Sequence, residues 1–360
     1  MPWQSPAETI TVAVDANGAD LGPAEVAAGA ALAAERGVRV LLFGPAAEIG
    51  PMPDGVEVVD APVSIAKAAD PAAAARSTRD ASIVRAAAAV ASGEADALVA
   101  GGSTGTALAA GLFNIKRARG IHRPALALPL PIPGQPVTLL DVGANVEVRP
   151  EHLVQFAYMG AALSQVVLGV ERPRVALLSN GEEPTRGTAE VVEAHARLAT
   201  AAGLNFVGNV EGHRLLDGTA DVVVADGFSG NVALKVLEGT SQRTLKEIKA
   251  IAMRSLRAKA GGFLLRPSLY GFRAEIDPEL QGGAYLLGLR RLGVVPHGRF
   301  TRDGIARAIL LAARGTEGDV VGKTRDALEA AGALRSAPVA AGPPDPPPAA
   351  EPAGSVPGSP

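Results

Sequence analysis

The stretch VAGGSTGTALAAGLF, residues Val99–Phe113, indicates the fold class of this chain. The apolar residues up to Ala100 are typical of the end of a buried strand, and the run from Thr106 contains strong helix formers. Between the two runs stand the small residues 101–105. A strand, a glycine-rich turn and a helix start direct free backbone N–H groups at one point, which suits a phosphate group. For this stretch alone, a tight turn in which glycine serves only packing is the alternative.

Apolar runs alternate with helical stretches on both sides of this segment. The predicted strands are 10–14, 38–43, 56–60, 97–100, 125–130, 137–140, 175–178, 206–207 and 222–225. The predicted helices between them include 25–36, 80–92, 152–168 and 189–202. This alternation predicts an α/β fold with a mostly parallel sheet.

Composition excludes several classes of protein. The 360 residues are 48% hydrophobic, carry a net charge of −3 and contain no cysteine, which excludes disulfides, thiolate metal sites and a cysteine nucleophile. No overall basic charge favours a nucleic-acid partner. The N-terminal residues do not resemble a signal peptide, and no apolar stretch is long enough for a spanning helix, so we expect a cytoplasmic protein.

The C-terminal residues differ in composition from the rest of the chain. Residues 336–360 are rich in proline, alanine and glycine, and such a segment cannot bury enough apolar surface to order itself. We therefore expect one domain over 8–335 and a disordered tail over 336–360.

Five predicted strands end in short polar sequences. These are DANGAD (15–20), GGSTG (101–105), DVGANVE (141–147), SNGEE (179–183) and DGFSGNVALK (226–235). Because ligands of open α/β sheets bind at the carboxyl ends of the strands, we expect the five loops to form one phosphate-type site. Ordinary turns and helix caps explain any single loop equally well.

The five loops, together with ARSTRDASIVRAA (75–87) and VPHG (295–298), resemble the bacterial phosphate acyltransferases of phospholipid synthesis. The resemblance runs from Ile10 to Arg335. It implies a three-layer α/β/α sandwich related to isocitrate and isopropylmalate dehydrogenases, and a homodimer. It also implies transfer of an acyl group from acyl carrier protein (ACP) to inorganic phosphate, with no cofactor or metal. The acyl phosphate would serve a downstream membrane glycerol-3-phosphate acyltransferase.

The chain departs from that family at several positions. Ser103 stands where the family has asparagine, and Thr78 stands where it has lysine. The segment Ala16–Asp20 replaces the usual Met-Gly-Gly-Asp. A serine hydroxyl and the neighbouring Arg79 supply a hydrogen bond and a positive charge in place of the two lost side chains.

Phosphate attacks a thioester as its own nucleophile, so the site has to bind the anion, orient it and stabilise the oxyanion. The candidate catalytic residues are Ser103, Thr104, Asn145, Asn231 and His297. The candidate substrate-binding residues are Asp15, Asn17, Arg79, Gly102, Gly105, Asp141, Gly143, Asp226, Gly230 and Lys235. For the aspartates, helix or turn capping is the alternative, for Arg79 and Lys235 a solvated charge, and for His297 a structural role.

A basic amphipathic helix is predicted over 241–260, followed by an apolar loop over 261–274. Within the region 240–300, the candidate contacts to a membrane or to ACP are Lys246, Lys249, Arg254, Arg257, Leu264 and Leu265. A dimer interface with a solvated basic face is the alternative.

Three other functions remain open at this stage. A dehydrogenase would share the fold, but no Gly-x-Gly-x-x-Gly sequence follows the first strand. A phosphotransacylase acting on a CoA thioester would use the same chemistry. A non-enzymatic membrane scaffold would use only the basic helix. The sequence gives neither the preferred acyl length nor the residue that stabilises the oxyanion.

Overall fold

The computed structural model describes residues 9–130, 132, 136–275 and 278–335. Within them, eleven strands form one sheet in the order β3-β2-β1-β4-β11-β10-β5-β6-β9-β7-β8. The strands are β1 (Thr11–Asp15), β2 (Arg39–Gly44), β3 (Val56–Asp60), β4 (Ala97–Val99), β5 (Ala125–Leu130), β6 (Val137–Leu140), β7 (Arg174–Ser179), β8 (Asn205–Glu211), β9 (Val222–Val224), β10 (Ala284–Leu287) and β11 (Leu292–Val295).

Helices cover both faces of this sheet. They are α1 (Pro23–Ala34), α2 (Ala46–Ile49), α3 (Pro71–Ser77), α4 (Ser82–Ser92), α5 (Thr104–Ala110), α6 (Pro150–Leu163), α7 (Ala189–Leu198), α8 (Gly227–Ala252), α9 (Leu256–Glu275), α10 (Arg302–Glu317) and α11 (Val320–Ala330). Turns of π-helix extend α5 over Gly111–Ile115 and α6 over Ser164–Leu168. The molecule is a three-layer α/β/α structure with a mostly parallel sheet, as the sequence predicts.

The core has two halves because successive strand residues point to opposite faces of the sheet. Val12 and Val14 of β1 pack in one half with Val26 of α1. Ala13 packs in the other half with Val84 of α4. Both faces of the strands are therefore buried, which explains their continuous apolar sequences.

Strands β10 and β11 are missing from the sequence-based prediction. Each has only four residues, and the glycines and arginines around them hide the apolar pattern. In the structure they lie between β4 and β5 and join the two parts of the sheet.

These strands also reverse the direction of the sheet. β10 is antiparallel to both β11 and β5, and β5 is antiparallel to β6. The strands β6, β7 and β9 therefore run against β1, β4 and β11. We call the end where β1, β4 and β11 finish the first end of the sheet, and the end where β6, β7 and β9 finish the second end.

Strand direction divides the five polar loops into two groups, so strand ends alone do not bring them together, and their meeting in one crevice stays a prediction. The loops after β1 and β4 lie at the first end, and the loops after β6, β7 and β9 lie at the second end. Strand direction depends on pairings between distant segments, which no single loop sequence encodes.

The predicted basic helix and apolar loop form a helical hairpin instead. α8 continues to Ala252 and α9 spans Leu256–Glu275 despite Pro267 within it. A Cβ on Gly262 would lie 2.9 Å from the Cβ of Ala252, so glycine permits the close approach of the two helices. Packing against α8 thus overrides the loop-like composition of 261–274. The predicted tail over 336–360 lies outside the described residues.

Candidate active site

Three loops pack together at the first end of the sheet. We call them the three-loop cluster: Asp15–Asp20 after β1, Gly101–Thr104 after β4, and His297–Arg299 after β11. A Cβ on Gly101 would lie 2.6 Å from the carbonyl oxygen of Asp15, and one on Gly102 would lie 2.6 Å from the Cα of Gly298. Only glycine allows this spacing, so the glycine-rich turn of the opening stretch holds the three loops together.

The predicted substrate-binding residues Asp15 and Asn17 hold this cluster from inside. The buried Asp15 carboxylate accepts hydrogen bonds from Ser82 Oγ at 2.6 Å and from the backbone N–H of Asn17 at 3.1 Å. Burial raises the pKa of Asp15, and these hydrogen bonds oppose that effect. Asn17 Nδ2 donates to Ala61 O and to Ser82 Oγ. Both side chains therefore position the loop, and the sequence analysis assigned no role to Ser82.

Ser103, Thr104 and Gly105 begin α5 at the same end of the sheet. Ser103 is the N-cap residue with an extended backbone, and its side chain makes no capping bond to the helix. Ser103 is half-buried, whereas Thr104 and Gly105 are exposed. The two hydroxyl groups are thus available at the surface of the three-loop cluster.

His297 presents a neutral imidazole at this cluster. Its Nδ1 accepts a hydrogen bond from the backbone N–H of Arg299 at 3.3 Å, so Nε2 carries the proton. His297 is exposed, but partial desolvation lowers its pKa, and the charges of Arg299 and Lys235 lower it further against the opposing charges of Glu238 and Asp20. The imidazole ring stacks on the ring of Phe300, with the two ring centroids 6.1 Å apart. An oriented, uncharged N–H donor of this kind suits a developing oxyanion.

Helix α8 brings a cation to the same place. Lys235 forms an ion pair with Glu238 at 2.8 Å. The charge of Lys235 lowers the pKa of His297, and the charge of Glu238 raises it. α8 begins after β9 at the second end of the sheet and therefore crosses to the first end within its first turns. The sequence predicts Lys235 as a substrate-binding residue but does not indicate Glu238 or Arg299.

Asp141 organises a separate node at the second end. The fully buried carboxylate accepts hydrogen bonds from the backbone of Leu126, Gly143, Ala144 and Asn145. Burial raises the pKa of Asp141, and these hydrogen bonds oppose that effect. With its oxygens occupied in this way, Asp141 shapes the loop, and its contact with substrate stays a prediction.

Asn145 belongs to this node and not to the three-loop cluster. Its Nδ2 donates to Asp141 Oδ2 at 2.8 Å and to Pro124 O at 2.7 Å, which uses both amide hydrogens. In this structure Asn145 thus holds the loop, and its role as an oxyanion donor stays a prediction. Gly143 is exposed with φ 131°, and the predicted donor Asn231 lies next to it, one helical turn before Lys235.

The same node fixes the start of α8. The N–H of Gly227 donates to Asn145 O at 2.7 Å, and a Cβ on Gly230 would lie 2.0 Å from Asp141 O. Asp226 caps the helix by accepting from the N–H groups of Phe228 and Ser229. Asp226 and Gly230 therefore position α8, and their substrate contacts stay predictions.

Two further predicted loops have structural anchors. The loop after β7 is held by Arg214, which binds Glu182, and by Asn209, whose amide donates to Glu183 O at 2.9 Å. Arg79 is exposed in the segment between α3 and α4, and that segment reaches the three-loop cluster through Ser82.

One group of potential metal ligands occurs in the described residues. His122, Glu151 and His152 place one ligand atom each within 4.8 Å of the others. His152 Nδ1 already accepts a hydrogen bond from the backbone N–H of Arg149 at 3.2 Å. Burial lowers the pKa of His122, and positive charges of Arg335, Arg117 and Arg149 contribute in the same direction. These cations oppose binding of a metal ion whereas Glu151 favours it, and the expectation of no metal stays a prediction.

Comparison with known proteins agrees with this architecture. Residues 10–323 match the family model described as fatty acid synthesis protein. The phosphate acyltransferase of Pelotomaculum thermopropionicum is 42% identical over 325 residues, covering 88% of this chain and 95% of the relative. That of Geobacillus thermodenitrificans is 40% identical over 326 residues, covering 89% and 99% respectively.

Solved structures share the fold at low sequence identity. A phosphotransacetylase from Streptococcus pyogenes superposes with TM-score 0.57 at 17% identity, covering 86% of this chain and 94% of that one. The 4-hydroxythreonine-4-phosphate dehydrogenase from Klebsiella pneumoniae gives TM-score 0.51 at 16% identity, covering 88% and 100%. From the family match and the relatives at about 40% identity, the chain belongs to the phosphate acyltransferases, within the fatty acid synthesis protein family.

Proposed function

We propose that this chain transfers a fatty acyl group from acyl-ACP to inorganic phosphate and so supplies acyl phosphate for phospholipid synthesis. The chain is an acyltransferase by family, and its relatives are named for phosphate acyl transfer. One observation carries the proposal. On the glycine-rich three-loop cluster, the neutral imidazole of His297 has its Nε2–H group free to donate, and Lys235 lies near it.

In the proposed reaction, a phosphate oxygen attacks the thioester carbonyl carbon. A C–O bond forms, the C–S bond breaks, and the released thiolate takes a proton from solvent. Lys235 balances the charge of the phosphate, and the hydroxyls of Ser103 and Thr104 orient it. His297 donates its Nε2–H to the oxyanion, a contribution of about 3 kcal/mol for one well-placed donor. No side chain has to be acylated.

The helical hairpin of α8 and α9 is the proposed membrane contact. Leu256 is 84% exposed, Leu264 78% and Phe263 72%, and Leu265 lies beside them. Lys246, Lys249, Arg254 and Arg257 are exposed on the same hairpin. Apolar side chains next to basic ones suit the surface of an anionic bilayer. None of the described helices is both long and apolar enough to span a membrane.

A second copy of the chain is the proposed partner for the first turns of α8. Phe228, Val232 and Val236 recur every fourth residue and are 62%, 46% and 62% exposed. Such a stripe suits pairing of two α8 helices in a homodimer. We place the enzyme in the cytoplasm at the membrane surface, where a membrane glycerol-3-phosphate acyltransferase would use its product.

The test is turnover of palmitoyl-ACP by purified protein with and without phosphate. We expect release of ACP thiol and formation of palmitoyl phosphate in equal amounts, both dependent on phosphate. Release that ignores phosphate would contradict the proposal. A parallel reaction with palmitoyl-CoA separates the alternative donor, because a CoA-specific phosphotransacylase would prefer it. A membrane scaffold without activity would give no release at all.

A further inference from the structure

An exposed basic face lies at the second end of the sheet, apart from the active site. Lys116, Arg117, Arg119 and Arg123 stand in the loop before β5, and Arg290 and Arg291 stand between β10 and β11. We call these six residues the basic face. All six are exposed.

Backbone pairing brings the two segments together. The N–H of Arg290 donates to Lys116 O at 3.0 Å, and Arg117 forms a β-bridge with Leu289. Arg335 and Arg149 flank this face. The N–H of Arg335 donates to Gly120 O at 2.8 Å. The charges of Arg335 and Arg149 both lower the pKa of His122, which places the two side chains near it. The grouping of charge is therefore fixed by the fold.

This charge is not balanced locally. Within the described part of the chain, none of the six residues forms an ion pair. The neighbouring Glu151 is shared between Arg149 at 4.0 Å and Arg197 at 3.9 Å. Because the whole chain carries a net charge of −3, concentrated positive charge on one face gives it a directed attraction for an anionic partner.

The location of the face discriminates between partners. The helical hairpin continues α8 past His297, so it projects from the first end of the sheet, whereas the basic face lies at the second end. A bilayer that holds the hairpin therefore does not reach the basic face. Five of the six residues are arginine, whose planar fork matches carboxylate groups in pairs. These observations favour an acidic protein over a lipid surface.

The face also has a structural path to the reaction site. α5 begins in the three-loop cluster at Ser103 and, through its π-helical turn, ends at Ile115, directly before Lys116. Twelve helical residues span roughly 18 Å. A carrier protein presents its thioester on a flexible arm, so a partner docked on the basic face need not touch the reacting atoms.

We propose that the basic face is the docking surface for the acidic carrier protein that delivers the acyl thioester, and that the hairpin is not. The inference rests on the proposed function, because it takes acyl-ACP as the donor. The sequence predicts the contact with the carrier protein at Lys246, Lys249, Arg254 and Arg257. This inference places that contact instead on the six residues of the basic face, at the other end of the molecule.

The test compares two quadruple variants of the full chain. The first is Arg119→Gln/Arg123→Gln/Arg290→Gln/Arg291→Gln, and the matched control is Lys246→Gln/Lys249→Gln/Arg254→Gln/Arg257→Gln. Binding of fluorescently labelled holo-ACP is measured by anisotropy, and KM for palmitoyl-ACP and for phosphate by turnover. We expect the first variant to raise the Kd for ACP and the KM for palmitoyl-ACP at least about tenfold, with kcat and the KM for phosphate unchanged.

The outcomes separate this inference from the proposed function. Equal ACP affinity of the first variant and the native chain would overturn the inference while turnover continued. If the control variant binds ACP more weakly and the first variant binds it as the native chain does, the carrier docks on the hairpin and the inference is overturned as well. Weaker binding of the first variant to phosphatidylglycerol vesicles, with ACP binding unchanged, would mark the face as a lipid contact. Failure of phosphate-dependent turnover in the native chain would reject the proposed function, whereas labelled ACP would still report on the basic face.

Discussion

At the scale of single residues, the proposed site contains side chains with a free polar atom and side chains whose polar atoms hold the loops in place. His297 has one ring nitrogen bonded to the backbone of Arg299 and the other free to donate. Asp15, Asp141 and Asn145 have their polar atoms engaged by the chain itself. Sequence reasoning finds all of these residues because turns after strands are polar. It cannot separate the two roles, since both use the same residue types.

The first prediction concerns His297. Replacement by alanine should lower kcat about 100-fold, because one oriented oxyanion donor is lost. The pKa of His297 is below its ordinary value of 6.5, and the neutral form is the donor with one free N–H and a fixed orientation. Activity should therefore fall as the pH drops through that pKa, below pH 6.5. Steady-state kinetics over pH 5–8 measures this limb.

The variant His297→Gln provides the control for this profile. Its amide donates a hydrogen bond but does not titrate in this range, so the acidic limb should disappear while part of kcat is retained. An acidic limb that persists in His297→Gln would assign the titration to another group.

The second prediction concerns Gly230, where α8 meets the Asp141 node. Replacement by alanine should destabilise the fold by about 1–3 kcal/mol, because the new Cβ would lie 2.0 Å from Asp141 O. Gly239→Ala on the same helix is the control, since nothing lies within 4 Å of its Cβ position. That variant should gain up to about 1 kcal/mol from helix propensity. Urea unfolding measures the free energy of unfolding of both variants. If Gly230→Ala and Gly239→Ala change it equally, Gly230 has no special packing role.

At the scale of elements, α8 links the two ends of the molecule. Its first turn is fixed by Asn145 and Asp141, and two turns later Lys235 lies near His297. The distal part of α8 and α9 leave apolar side chains exposed. Periodicity predicts the basic helix, but Gly261, Gly262 and Pro267 predict a loop where the structure has α9. Contact between the two helices decides this segment, and local propensity does not record such contact.

The third prediction tests the hairpin. The double variant Leu264→Glu/Leu265→Glu should lose most binding to phosphatidylglycerol vesicles, because it places two carboxylates on the apolar surface. Turnover of palmitoyl-ACP in solution should remain unchanged. Co-sedimentation measures the binding, with Leu21→Glu, an exposed leucine outside α8 and α9, as the control. Undiminished sedimentation of the double variant would remove the hairpin from the membrane contact.

At the scale of the whole molecule, the C-terminal strands decide the architecture. Sequence patterns identify nine of the strands and the fold class, since buried strands leave continuous apolar runs. They do not identify β10 and β11, and these strands set the direction of the rest. The loops that look alike in sequence consequently lie at opposite ends of the sheet. Only pairing between distant segments, such as β10 with β5, contains that information.

The fourth prediction follows from this insertion. A chain that ends at residue 281 lacks β10, β11, α10 and α11, and it leaves β4 and β5 each without one of its two neighbouring strands. It should not fold, because the sheet loses its central strands and α1 loses its packing against α10. Circular dichroism melting measures this. A cooperative transition in the shortened chain would contradict the interdependence of the two parts.

The central claim is that phosphate reacts at the three-loop cluster between Lys235 and His297. The most direct measurement is the KM for phosphate of Lys235→Gln, with Lys246→Gln, further along the same helix, as the control. We expect Lys235→Gln to raise this KM at least about tenfold while the KM for palmitoyl-ACP stays constant, and we expect Lys246→Gln to change neither. An unchanged KM for phosphate in Lys235→Gln would contradict the central claim.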